Sequence, residues 1–160
     1  MSERIDRLIH DFKANRAYFD AVLDQAVDRA NEQIYSDGLG WDLRALVVHV
    51  ADANRGHNAQ AMNITQERDI IPEDFDIQRY NRRTTEKNTE KTIREAREDL
   101  NRYRQELLDW LQTLDDETLL DKRGRHSTLA IMSAEEIIRF GMKHERSHAE
   151  DIARVLNIPV

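Results

Sequence analysis

The stretch Ser133–Leu156, SAEEIIRFGMKHERSHAEDIARVL, reads as one long helix. Ser133 followed by Glu136 has the spacing of a capping box, in which hydroxyl and carboxylate each satisfy a backbone N–H left over at a helix start. Behind it an apolar or small seam runs through Ile137, Gly141, His144, His148, Ile152 and Val155. Steps of three and four residues are the spacing of a buried helix face. Two histidines thus stand where a bundle helix normally places Leu or Ile. Four residues apart, they stack one turn above the other and can aim at a common point. A buried imidazole needs a partner for each ring nitrogen, and two side by side suggest a metal ion.

The rest of the chain suits a helical frame for such a site. It has 160 residues, 39% hydrophobic and 34% charged, with only 5 Gly and 2 Pro. That length suits one domain, residues 1–160, and the scarcity of breakers argues for helices with few loops. The net charge of −7 gives no general electrostatic reason to bind nucleic acid or an anionic membrane. Cysteine is absent, which excludes a disulfide framework, a thiolate metal site and a cysteine nucleophile together. Any metal must therefore take His, Asp or Glu. The N-terminal MSERIDRLIHDFKANR lacks the apolar core of a secretory signal, and no 18-residue apolar run exists; the expectation is a cytoplasmic protein.

Upstream, Ile5, Leu8, Phe12, Phe19, Val22, Ala26 and Ala30 predict a first helix from Ser2 to about Ile34, its stripe interrupted at Asn15 and Arg16. His10 lies off the stripe, where an exposed helical His is expected. The loop Tyr35–Gly40 would make helices one and two antiparallel neighbours. A second helix follows Trp41, with Asp42 as N-cap. His49 sits mid-run in ALVVHVAD. His57 lies roughly 80° around and ~12 Å along from it, so the two do not easily share an ion, and His57 is expected to face solvent or a pocket rim. Asn63–Arg79 reads as a long connection covering one end of the core. Asn81–Leu114 is expected as a third helix, with its apolar stripe at Ile93, Ala96, Leu100, Tyr103, Leu107, Trp110 and Leu114 and its charged faces in solvent. Asp115–Met132 is a second connection, in which the Lys122, Arg123 and Arg125 cluster could receive an anionic ligand but reads more simply as a small surface patch, and His126 has no obvious partner. The fold class is therefore all-α, a four-helix bundle with long connections after helices two and three.

His49, His144 and His148 all project from apolar faces of two helices. Three neutral imidazoles in a bundle fit a divalent transition metal, with zinc, nickel and iron all compatible. Three protein ligands leave a position open for water or substrate. The alternative is that each is a satisfied core histidine. His144-Glu145-Arg146-Ser147-His148 also matches the H-E-x-x-H string of zinc proteases, but no His follows it to serve as third ligand. Glu145 and His148 form one Glu-x-x-His pair, whereas a di-iron carboxylate site needs two. Glu145, roughly 60° from His148 and 100° from His144 around the helix, is a candidate base or acceptor from an imidazole N–H, or else an exposed glutamate. Asn54, Arg55, His57 and Asn81 are candidate substrate-facing residues.

Trp41 opening a helix, His49 within it, the Phe75-Asp76 to Asn81 entry to helix three, and His144-x-x-x-His148 on the last helix together resemble the DinB-like superfamily, which includes DNA-damage-inducible proteins and thiol S-transferases. The resemblance runs from Ile5 to Leu156. It implies a four-helix bundle with a divalent metal held by one His of helix two and two of helix four, here His49, His144 and His148. It also implies a homodimer, and an enzyme that uses a low-molecular-weight thiol such as bacillithiol or mycothiol on a small molecule. A hydrolase results if water takes the thiol's place. A non-enzymatic stress or interaction module that keeps the bundle and metal site is the other expectation.

Overall fold

The structure is a computed structural model and describes residues 2–160. Five helices account for most of it: α1 Glu3–Asp24, α2 Leu43–Thr65, α3 Ile77–Lys87, α4 Ile93–Gln112 and α5 Ala134–Leu156. A short hairpin, β1 Arg123–Arg125 and β2 Ile131–Ser133, precedes α5 with Gly124 opposite Met132. Among the described residues no helix is long and apolar enough to cross a membrane.

The expected caps form. Asp42 accepts from the Ala45 N–H at 2.7 Å, and Ser133 and Glu136 make both bonds of the capping box that starts α5. Two helix boundaries differ from expectation. α1 ends at Asp24, followed by a 3-10 turn at Val27–Arg29. The segment beyond it serves α2 instead: the Ala30 and Glu32 carbonyls accept from the Arg44 and Leu43 N–H groups, which are among the donors a helix start leaves free. The third helix is two. It stops after Lys87 and restarts at Ile93, where Thr92 and Glu95 form a second capping box, and Arg44 takes the carbonyls of Asn88 and Lys91 in the gap.

The four long helices, α1, α2, α4 and α5, form the bundle. α2 packs along α4 and α5, and α1 packs along α5 and α4. Helices one and two are therefore diagonal rather than adjacent, a correction to the expected hairpin; the Gln25–Asp42 connection crosses one end of the bundle. The halves of each helix that share a core fix the directions. One apolar cluster joins the C-terminal halves of α1 and α5 to the N-terminal halves of α2 and α4, and a second joins the opposite halves. α2 and α4 thus run parallel, and α3 lies in the return between them.

Between the two clusters lies a polar layer. Arg104 of α4 is fully buried and forms an ion pair with buried Glu145 of α5. It also reaches Asp20 of α1 at 2.8 Å, while Asn54 of α2 donates to Glu145 at 3.1 Å. All four helices contribute. Asn15 and Arg16, the interruption in the α1 stripe, fall at this level. Arg104, expected on a solvated face, instead occupies the seam position between Leu100 and Leu107.

Candidate metal centre

Helices α2 and α5 bring His49, His144 and His148 together. His49 Nε2 lies 3.0 Å from His144 Nε2, which lies 3.1 Å from His148 Nε2. The three are half-buried rather than core residues. The most buried face of α5 is Ile138, Met142, Glu145, Ala149 and Ile152, and the histidines flank it, on the side that opens to a cleft.

Two of the three rings are held from behind, while His144 Nδ1 is buried without a partner. Trp41, just before α2, stacks on His49 with centroids 4.3 Å apart, and its indole N–H donates to Thr85 of α3 at 3.0 Å. Tyr35 donates its hydroxyl proton to Asp151 at 2.6 Å and lies 2.8 Å from His148 Nδ1. Its one proton is used, so the Nδ1–H of His148 must donate to the phenol oxygen, which leaves Nε2 with its lone pair. Such outer bonds fix both tautomer and orientation of a metal-binding imidazole. Burial works against the Asp151 carboxylate, but hydrogen bonds from Tyr35 and Arg154 hold its pKa below the usual range; burial and Asp151 push the Tyr35 phenol upward.

Burial lowers all three histidines, His49 to about 3, His144 to about 2 and His148 to about 4, with the neighbouring imidazoles adding to the effect on the first two. Neutral rings are what a metal requires. Nitrogen lone pairs crowded at about 3 Å repel unless a proton or cation lies among them. Metal–nitrogen bonds of about 2.0–2.1 Å bring adjacent ligand atoms to about this separation. The donor set therefore fits one divalent ion, and it is the one such cluster of His, Cys, Asp or Glu among the described residues.

The adjoining cleft has a volume of about 690 Å³. Leu39, Trp41, Ile70, Ile71, Phe75 and Phe140 give it largely apolar walls. A larger hollow of about 910 Å³ shares Asp52, Arg55 and Tyr80 with it but is otherwise lined by Val48 and Ala51 of α2 and by α3, α4 and the gap between them, and holds no imidazole.

Of the candidate substrate-facing residues, Arg55, His57 and Asn81 line the cleft. Asn54 does not: it is buried and bonded to Val50 and Glu145. Glu145 does not line the cleft; its two oxygens are bonded to Arg104 and Asn54. Nor is it an exposed glutamate, at 2% accessibility. His57, expected toward solvent or a pocket rim, lines the cleft but is buried against Gly141, where a Cβ would come within 3.1 Å of its Nδ1. His126 has a partner after all. It stacks on His57 with centroids 5.1 Å apart and planes 9° from parallel. Sequence reasoning also missed Tyr35 and Asp151, although the His148-x-x-Asp151 spacing puts both on one helix face.

Residues 11–152 match the profile of the DinB superfamily. The chain belongs to this superfamily. A solved structure with the same fold is that of YfiT from Bacillus subtilis, described as a probable metal-dependent hydrolase with an unusual four-helix bundle topology. It aligns with this DinB-superfamily chain at a TM-score of 0.76 and 19% identity, covering 99% of this chain and 91% of that one. No curated protein matches the chain.

Proposed function

We propose that this DinB-superfamily chain binds one divalent transition metal through His49, His144 and His148 and hydrolyses a small molecule in the adjoining cleft. The observation that carries the reading is the convergence of the His49 and His148 Nε2 atoms on that of His144, at 3.0 and 3.1 Å, beside an open, apolar cleft. The description of YfiT as a probable metal-dependent hydrolase agrees with it. A divalent metal supplies Lewis acidity and the means to ionise water near neutral pH. The chain's own residues supply the rest. Asp151 and Tyr35 hold the His148 tautomer, Trp41 holds the His49 plane, and the apolar walls exclude bulk water from the substrate.

Titration of the metal-free protein with zinc or nickel is expected to saturate at one ion per chain. His148→Ala is expected to abolish that uptake with helical content unchanged by circular dichroism. Metal-loaded protein is expected to hydrolyse neutral aryl esters or amides, and His49→Ala to lose the rate. A wild-type chain that takes up neither ion overturns the reading. Turnover that appears only on adding a thiol replaces hydrolysis with thiol transfer at the same centre.

A further inference from the structure

His126 is fully buried, yet its Nε2 has no partner in the protein. Its other nitrogen is accounted for. The Thr128 backbone N–H points to Nδ1 at 3.2 Å and the Thr128 hydroxyl lies 2.8 Å from it. A backbone N–H can only donate, so Nδ1 is the acceptor and the ring's proton sits on Nε2. An unbonded, buried N–H is rare in a folded protein and calls for a ligand or another explanation. The ring packs against two others, His57 in parallel stacking and Phe140 tilted with centroids 4.4 Å apart, and His57 and Phe140 also touch. It lines the same cleft as the histidine triad. His57 bridges the two, 5.1 Å from His126 and 5.9 Å from His144.

The charge of the cleft adds a second constraint. Its charged lining residues, among those described, are Asp37, Asp52 and Arg55. Arg55 is already committed, donating to Asp52 at 2.7 Å and to the Tyr80 hydroxyl at 3.1 Å. Apart from an ion held by the triad, no unpaired cation lines the cleft among the described residues to receive a phosphate or carboxylate.

We propose that the His126 Nε2–H is the hydrogen-bond donor of a substrate subsite, and that the subsite selects a neutral, largely apolar molecule by its carbonyl-type oxygen. The inference deepens the proposed hydrolytic function, since the reacting end of the molecule would lie at the triad. It concerns His126, however, and is testable without metal. Imidazole tautomers and ligand binding can both be read by NMR on 15N-labelled, metal-free protein titrated with benzamide and, separately, benzoate. The expected result is His126 as the Nε2–H tautomer, with that proton shifting saturably as benzamide is added. Benzoate is expected to bind about tenfold more weakly or worse, because its charge would be buried without a partner. His126→Phe keeps a flat ring against His57 and Phe140 but loses the donor. It is expected to weaken benzamide about fivefold and to leave zinc stoichiometry unchanged. An Nδ1–H tautomer, an Nε2–H signal unmoved by benzamide, or benzoate bound as tightly as benzamide overturns the proposal. The wild-type titration decides it even if His126→Phe does not fold. Failure of the wild-type protein to take up zinc would sink the metal reading and leave this result standing.

Discussion

Between Tyr35 and Asp151 the single phenolic proton is committed, and through it the tautomer of His148. Tyr35→Phe removes that bond without emptying the space. It is expected to weaken zinc or nickel binding by roughly tenfold or more, measured by competition with a chromogenic chelator, while thermal stability changes little. His126 has a second consequence, on stability. Burial lowers its pKa to about 4, against about 6.5 in an unfolded chain. Between those values the unfolded state carries the proton and the folded state does not, so stability rises with pH through the window and is lost as pH falls from about 6.5 toward 4. In His126→Phe the slope of unfolding free energy against pH, from urea melts of metal-free protein, is expected to fall by up to about 1.4 kcal/mol per pH unit there. At this scale the His144 and His148 spacing and the apolar setting of His49 were legible in the sequence. Tyr35 and His126 were not, because each lies in a connection and meets its partner only through the fold.

α3 is the least anchored helix. None of its residues is buried. It is held by Trp41 on Thr85 and by Tyr80 bonded to Arg55, and Arg44 fastens the Asn88–Lys91 gap that follows it. Few buried contacts mean a low free energy of local opening. Amide hydrogens of Tyr80–Lys87 are therefore expected to exchange far faster than those in the middle of α2 and α5, as read by mass spectrometry. α3 walls the cleft through Ile77, Gln78, Tyr80 and Asn81, so such opening would also widen access to the triad. The break between α3 and α4 had a sequence signal, the Thr92-x-x-Glu95 box, which the continuous run of charged helix formers masked. The hairpin had a weaker one. Its strands are three residues each, and Gly124 lies so close to α2 that a Cβ would come within 2.6 Å of Ile64.

Across the whole molecule, four helices meet at one polar layer between two apolar cores. Removing one partner of a buried ion pair strands the other. Glu145→Ala is expected to lower unfolding free energy by about 3 kcal/mol, measured by urea denaturation. The double replacement Arg104→Met with Glu145→Leu is expected to recover most of that loss, since well-packed apolar groups often replace such a pair without cost. The bundle was legible from helical periodicity, and the layer left its mark as the gap at Asn15 and Arg16. Helix adjacency was not legible, because a glycine loop looks the same whether it joins neighbours or crosses a diagonal. That diagonal crossing bears on how the triad comes into being. Tyr35 and His148 are 113 residues apart in sequence, and His49 and His144 are 95 apart. Contacts of such separation cost loop-closure entropy before they give anything back. During synthesis His49 therefore waits for most of the chain, and a lone pair of histidines on an undocked α5 is all that a half-folded intermediate can offer. A metal that prefers the finished triad would stabilise only the final state by mass action, making its capture a report that folding is complete.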